Sequence, residues 1–190
     1  TIFIFNLQLI RYLGNTGVSV YGIICNTALV VICLCKGIEQ AAQPILSINH
    51  GAGLSSRILK VQSLSLKTSV IICTLPVLLG LFVPNLFTYI FLGTNERNPD
   101  SGSSGHPDLF YRYFCFLGIN MVFICYFQSV AKSVQSLSLC LLRGCILVVA
   151  FVYILPVFFG STGIWLAFPA AEFLTMIVGI CFYRQDLKAY

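Results

Sequence analysis

The stretch Gly37-Ile38-Glu39-Gln40-Ala41-Ala42-Gln43-Pro44-Ile45-Leu46-Ser47-Ile48-Asn49-His50-Gly51-Ala52-Gly53 decides how this chain is read. It follows residues 18–35, which are almost entirely apolar, and it places Lys36 and Glu39 where a membrane helix would still be inside the bilayer. A charge at the centre of a membrane helix costs about 2.5–3.5 kcal/mol on insertion scales. Lys36 and Glu39 are three residues apart, so they share a helical face and can neutralise each other, and Gln40 and Gln43 repeat that spacing. Two readings of this polar stripe stand side by side. One is an ion pair that snorkels toward the cytoplasmic interface; the other is the wall of a water-filled pathway in which Glu39 exchanges a proton or binds a cation. Counted from residue 18 at about 1.5 Å per residue, Lys36 lies roughly 28 Å from the outer end of its helix, near the inner boundary.

Composition agrees with a membrane setting. The chain has 190 residues, 58% of them hydrophobic and 9% charged, with a mean hydropathy of +0.92. Soluble domains carry about 25% charged residues. The net charge of +5 does not indicate nucleic acid, because the basic residues lie between apolar runs and form no basic face. All nine cysteines fall within apolar runs, where they read as small buried hydrophobes and not as a disulfide framework. Cys33 and Cys35 stand two positions apart, about 200° around a helix, and so point away from each other. With His50 and His106 as the only histidines, no zinc-ligand spacing can be assembled.

The expected fold is an all-α integral membrane bundle, a single transmembrane domain over 1–190, with five complete transmembrane helices and the end of a sixth. Residues 1–13 read as the tail of a span already under way at Thr1, and Gly14-Asn15-Thr16-Gly17 as a tight connection. Complete spans are expected over about 18–49, 68–92, 109–130, 136–159 and 164–183. Pro44 should kink the first of these, and Gly51 to Gly53 should end it. Residues 54–67, with Arg57, Lys60 and Lys67, read as a cytoplasmic loop; residues 93–107 read as a flexible outer loop. Lysine and arginine gather after the first and third complete spans and in the tail, which makes those segments and the C-terminus cytoplasmic by the positive-inside rule. The hexapeptide V-Q-S-L-S-L occurs at 61–66 and again at 134–139. Either an internal duplication or shared helix-entry chemistry explains it.

No dinucleotide fingerprint, phosphate loop, zinc-protease motif or nucleophile elbow occurs, so no enzyme is indicated and no catalytic residue is named. Chemistry is left to the polar residues inside the spans: Asn26, Lys36, Glu39, Gln40, Gln43, Asn120, Gln128, Arg143 and Glu172. Glu172 lies near the middle of its span. It reads either as a protonated carboxyl hydrogen-bonded between helices or as a protonatable coupling residue. Arg143 is placed nearer the cytoplasm and pairs with Glu172 only if their depths match.

The opening stretch resembles the G-x-x-Q-x-x-Q-P-I-x-x-x-N-Y-G-A signature of multidrug and toxic compound extrusion (MATE) transporters, with Gln40, Gln43, Pro44, Asn49 and Gly51 in register and His50 in place of tyrosine. Two further matches follow in order. Residues 126–132, with Gln128 and Lys132, resemble Y-F-Q-A-x-G-K, with Ala131 in place of the glycine. Leu141-Leu142-Arg143-Gly144 and residues 155–172, which include Pro169 and Glu172, resemble L-L-R-Q and L-P-x-x-F-G-x-x-G-I-W-x-A-x-P-x-A-[DE]. Glu39 stands where small or polar residues are common in that pattern. The resemblance implies the C-terminal lobe of a two-lobed exporter in the cell membrane. Such an exporter moves amphipathic, often cationic compounds outward against a proton or sodium gradient, with no cofactor beyond that ion. The lipid bilayer, the small-molecule substrate and an N-terminal lobe are the implied partners. A flippase of the same superfamily for lipid-linked saccharides, and a non-transporting fragment or subunit, are the alternative expectations.

Overall fold

The computed structural model describes residues 2–82 and 113–188, and every element among them is helical. Helix α1 spans Ile2–Gly51, α2 Ser55–Phe82, α3 Tyr113–Ser129 and α4 Ser133–Leu141; a π-helical turn, Leu142–Ile146, leads into α5, Leu147–Leu187. The outer loop expected at 93–107 lies outside the described residues.

Two of these helices are hairpins. Phe5 and Tyr21 stack with ring centroids 4.5 Å apart, whereas sixteen residues of straight helix would separate them by roughly 24 Å. The reversal is at Gly14, with φ 65° and ψ −157°. A second reversal occurs at Gly160, φ 57° and ψ −137°, a region that residues with a Cβ rarely enter. Gly163 then lies so close to the returning chain that a Cβ on it would fall 2.4 Å from the carbonyl oxygen of Leu155. The Gly14–Gly17 connection is thus a reversal centred on one residue. Pro44 leaves the backbone helical: Gly14 is the one non-helical residue within α1.

The expected cytoplasmic loop at 54–67 is corrected, since α2 is helical from Ser55. Basic and polar side chains control where a segment is solvated, and this one contains no helix breaker. It also buries an i, i+4, i+7, i+11 stripe of Ile58, Gln62, Ser65 and Ser69 that holds it on the bundle. The two V-Q-S-L-S-L copies present different faces to the protein. Gln62 and Ser65 are buried in the first copy, Ser136 and Leu139 in the second.

Among the described residues, three helical segments are long and apolar enough to cross a membrane, Ile24–Gly51, Ser55–Leu78 and Ser133–Leu187, and a shorter apolar helix covers Phe116–Ser129. Only 28%, 33% and 17% of the apolar windows of those three are buried within the protein. Most of their hydrocarbon surface, including Leu29, Ile48, Ile71, Val157 and Phe158, faces outward, as lipid contact requires.

The turn between α3 and α4 contains Ala131 at φ 58°, the one non-glycine residue with positive φ among those described. It occupies the place of the glycine in the Y-F-Q-A-x-G-K pattern. The left-handed conformation costs a Cβ-bearing residue about 1–2 kcal/mol. Ala131→Gly is therefore expected to stabilise the chain by about 1 kcal/mol, offset in part by unfolded-state entropy. Equilibrium unfolding in mixed detergent micelles measures the difference.

Candidate functional site

The buried residues form two apolar clusters. One gathers the start of α1, Cys35, the C-terminal half of α2, Phe114 to Met121 and the Trp165 region; the other gathers Ala42, Leu46, Ile58, Phe123 to Val130 and Leu139. A polar layer lies where the clusters meet. On α1 it falls between Cys35 and Ala42, on α3 beside Met121, and on α5 just after Ala171.

Glu172 is its centre. It is 2% exposed, and one carboxylate oxygen accepts from both Nε and Nη2 of Arg143 at 3.0 Å. The other accepts from Nδ2 of Asn120 at 2.5 Å, and the same amide nitrogen donates to the Glu172 carbonyl at 2.8 Å. The pairing expected only if their depths match is made. Measured from the reversal at Gly160, the two residues are seventeen and twelve positions away, a mismatch of roughly 7 Å at 1.5 Å per residue. The long arginine side chain spans that distance.

Lys36 and Glu39 make the ion pair that their spacing predicts, Nζ to Oε2 at 2.5 Å. Glu39 is buried and Lys36 is exposed, so the carboxylate turns inward while its partner reaches out. The polar stripe does not hold together beyond that pair. Gln40, Gln43 and Asn26 are exposed, as are Pro44 and Gly51 of the signature. Asn49, half-buried, donates from its side chain to the Ile45 carbonyl within α1. Gln128 is exposed, and Pro169 is buried in α5.

A third buried carboxylate was not anticipated. Asp186, 4% exposed, accepts the Tyr126 hydroxyl at 2.7 Å and is salt-bridged to Lys132. A pocket of about 120 Å³ opens beside it, lined by Phe127, Lys132, Gln135, Phe182, Gln185 and Asp186. Lys132 is thereby explained as a clamp that joins the turn after α3 to the end of α5. The flanking Arg184 and Lys188 make 184–188 look like a solvated tail, but spacing offered a signal. Trp165, Glu172, Gly179 and Asp186 recur every seven residues and are all buried, so the inward stripe of α5 runs through to Asp186.

Each of these three carboxylates is held by a basic side chain. Burying an unpaired carboxylate is prohibitive, whereas a paired one can release its partner when the local geometry changes. The arrangement holds Glu172 at one defined depth between side chains drawn from α3, the π-helical turn and α5.

No protein-family model matches the sequence, and no curated protein is significantly similar to it. Solved structures do match. An outward-facing multidrug resistance MATE family transporter of the MOP superfamily superposes with a TM-score of 0.87 over 99% of this chain and 42% of its own, at 19% identity. A MOP superfamily transporter from Pyrococcus furiosus, for which a binding pocket of reversed polarity has been taken to suggest a different function, gives 0.82 over 99% and 42% at 21% identity. A MATE protein in complex with MaD5 gives 0.82 over 99% and 41% at 22% identity. The chain spans about two-fifths of the length of the transporters it matches. It has the fold of a lobe-sized part of a MATE transporter, the architecture that its three collinear motifs imply.

Proposed function

We propose that this chain is the C-terminal lobe of a secondary active exporter in the cell membrane, with its C-terminus cytoplasmic. The proposed substrates are amphipathic, often cationic compounds, driven outward by proton or sodium antiport together with an N-terminal lobe. In this reading the piece after Gly14 and both pieces divided at Gly160 each cross the bilayer, giving five complete spans, and the piece before Gly14 is part of a sixth.

The observation that carries the reading is the Glu172–Arg143–Asn120 network inside a MATE-type bundle. Arg143 compensates Glu172 in one state. A proton or sodium ion compensates it in the other, when relative movement of α5 and the π-helical turn withdraws the guanidinium. Coupling of this kind needs a carboxylate whose counter-charge is exchangeable, and Glu172 has one long flexible partner and one short fixed one. Glu39 serves as a secondary candidate at the end of the pathway, with Lys36, Gln40, Gln43 and Asn26 along the outer face of the same helix. The flippase alternative gains no support. It needs free intramembrane cations for a pyrophosphate, and Lys36 and Arg143 are engaged by Glu39 and Glu172.

Everted vesicles from cells producing the two-lobed transporter test the proposal. Uptake of a fluorescent cationic dye should follow an imposed proton or sodium gradient, and Glu172→Gln should remove that dependence by at least about tenfold, a coupling of about 1.4 kcal/mol. Gradient-driven transport that survives Glu172→Gln unchanged overturns the coupling role.

A further inference from the structure

Cys35 on α1 and Cys73 on α2 are thirty-eight residues apart in sequence, yet their Sγ atoms lie 3.4 Å from each other. Both are buried, at 2% and 0% exposure. Their neighbours leave room for them by design of the α3 surface. A Cβ on Gly118 would fall 2.5 Å from Cys73 Sγ and 2.3 Å from Ser69 Oγ, so only glycine at 118 lets the thiol sit where it meets Cys35. The remaining described cysteines are different. Cys33, Cys140, Cys145 and Cys181 are exposed on the outer surface of the bundle, Cys25 is half-buried, and Cys125 donates to the Glu39 carbonyl at 3.6 Å.

We propose that Cys35 and Cys73 form an oxidisable dithiol, a modification site at which a hydroperoxide closes a disulfide that locks α1 onto α2. A disulfide has S–S of about 2.03–2.05 Å, so the sulfurs must approach by roughly 1.4 Å, within reach of side-chain rotation. The chemistry balances in two steps. One thiol, as its thiolate, attacks a peroxide oxygen; the O–O bond breaks, a sulfenic acid forms and water leaves. The second thiol then attacks the sulfenic sulfur, the S–S bond forms, and a second water leaves with the hydroxyl and the thiol proton. Hydrogen peroxide is reduced to two waters, and the dithiol loses two hydrogens. Small uncharged peroxide reaches the interior of a bundle where a bulky or charged oxidant does not.

The lock would act next to the polar layer. Cys35 directly precedes Lys36, and the Lys36–Glu39 pair occupies the following turn. Fixing α1 to α2 there removes any sliding of one helix along the other at the depth where the charges are held. The site does not depend on the transport reading, because it rests on the contact between the two thiols.

The test uses the full chain in nanodiscs. It is treated with hydrogen peroxide, unfolded, alkylated and mapped by mass spectrometry. The expected result is joint loss of the Cys35 and Cys73 thiols, one for one, with a cross-linked peptide pair lighter by two hydrogens and restored by dithiothreitol. Cys35→Ser should leave Cys73 out of any disulfide. The proposal is overturned if Cys35 and Cys73 remain alkylatable after a treatment that oxidises Cys33, Cys140, Cys145 and Cys181. It is equally overturned if the two are oxidised without being linked to each other.

Discussion

Arg143→Ala should destabilise the chain by about 3–5 kcal/mol, the range for removing one partner of a buried ion pair. Glu172 would remain with its backbone and Asn120 contacts but without a counter-charge, at 3% side-chain exposure. The double variant Arg143→Met/Glu172→Leu should recover most of that loss, because a buried pair replaced by apolar side chains of similar volume is often neutral. Unfolding free energies in mixed micelles for the wild type, Arg143→Met, Glu172→Leu and the double variant give the coupling directly. A double variant as unstable as Arg143→Ala would mean that Arg143 acts through packing and not through charge. The comparison also separates stability from transport, since the double variant is expected to fold and to lose gradient dependence.

The second large effect is expected at the other end of α5. Lys132→Met removes the cation from a carboxylate that is 3% exposed in its side chain, while the lysine itself is 35% exposed. The half-solvated lysine already contributes less than a buried one, so the loss should fall at the lower end of the about 3–5 kcal/mol expected for a broken buried pair. Asp186 would keep the Tyr126 hydroxyl, a contact that alone does not balance a full charge. Lys132→Arg should retain most of the stability, because a guanidinium supplies the same charge to the same oxygen. Thermal unfolding followed by far-UV circular dichroism distinguishes the two substitutions. Equal loss in both would assign Lys132 a role set by its shape and not by its charge.

Both predictions turn on residues that the sequence presents without their partners. Glu172 is conspicuous as a carboxylate in the middle of an apolar run, and Lys36 with Glu39 can be paired from spacing alone, because both residues lie on one helix whose periodicity is known. Arg143 is visible as a charge, but its distance from Glu172 depends on where the chain reverses and on how far a flexible side chain leans along the helix axis. Asp186 is harder still. Local composition assigns it to a solvated tail, and only the seven-residue recurrence back through Gly179 and Glu172 to Trp165 connects it to the core.

The amino-acid order alone determines that this is an apolar, all-helical membrane chain, and its collinear motifs point to the MATE architecture. Hydrophobic run length and backbone propensity are local properties, and the bilayer makes them decisive because each helix satisfies its own backbone hydrogen bonds. What only the tertiary structure decides is which polar residues meet: Arg143 and Asn120 with Glu172, Lys132 and Tyr126 with Asp186, Cys35 with Cys73. Those contacts join residues 38 to 60 positions apart, or, for Arg143 and Glu172, 29 positions apart across the Gly160 reversal. Their existence depends on helix rotation and relative depth, quantities that single glycine reversals and a π-helical turn shift by several ångströms and that no periodicity within one helix records.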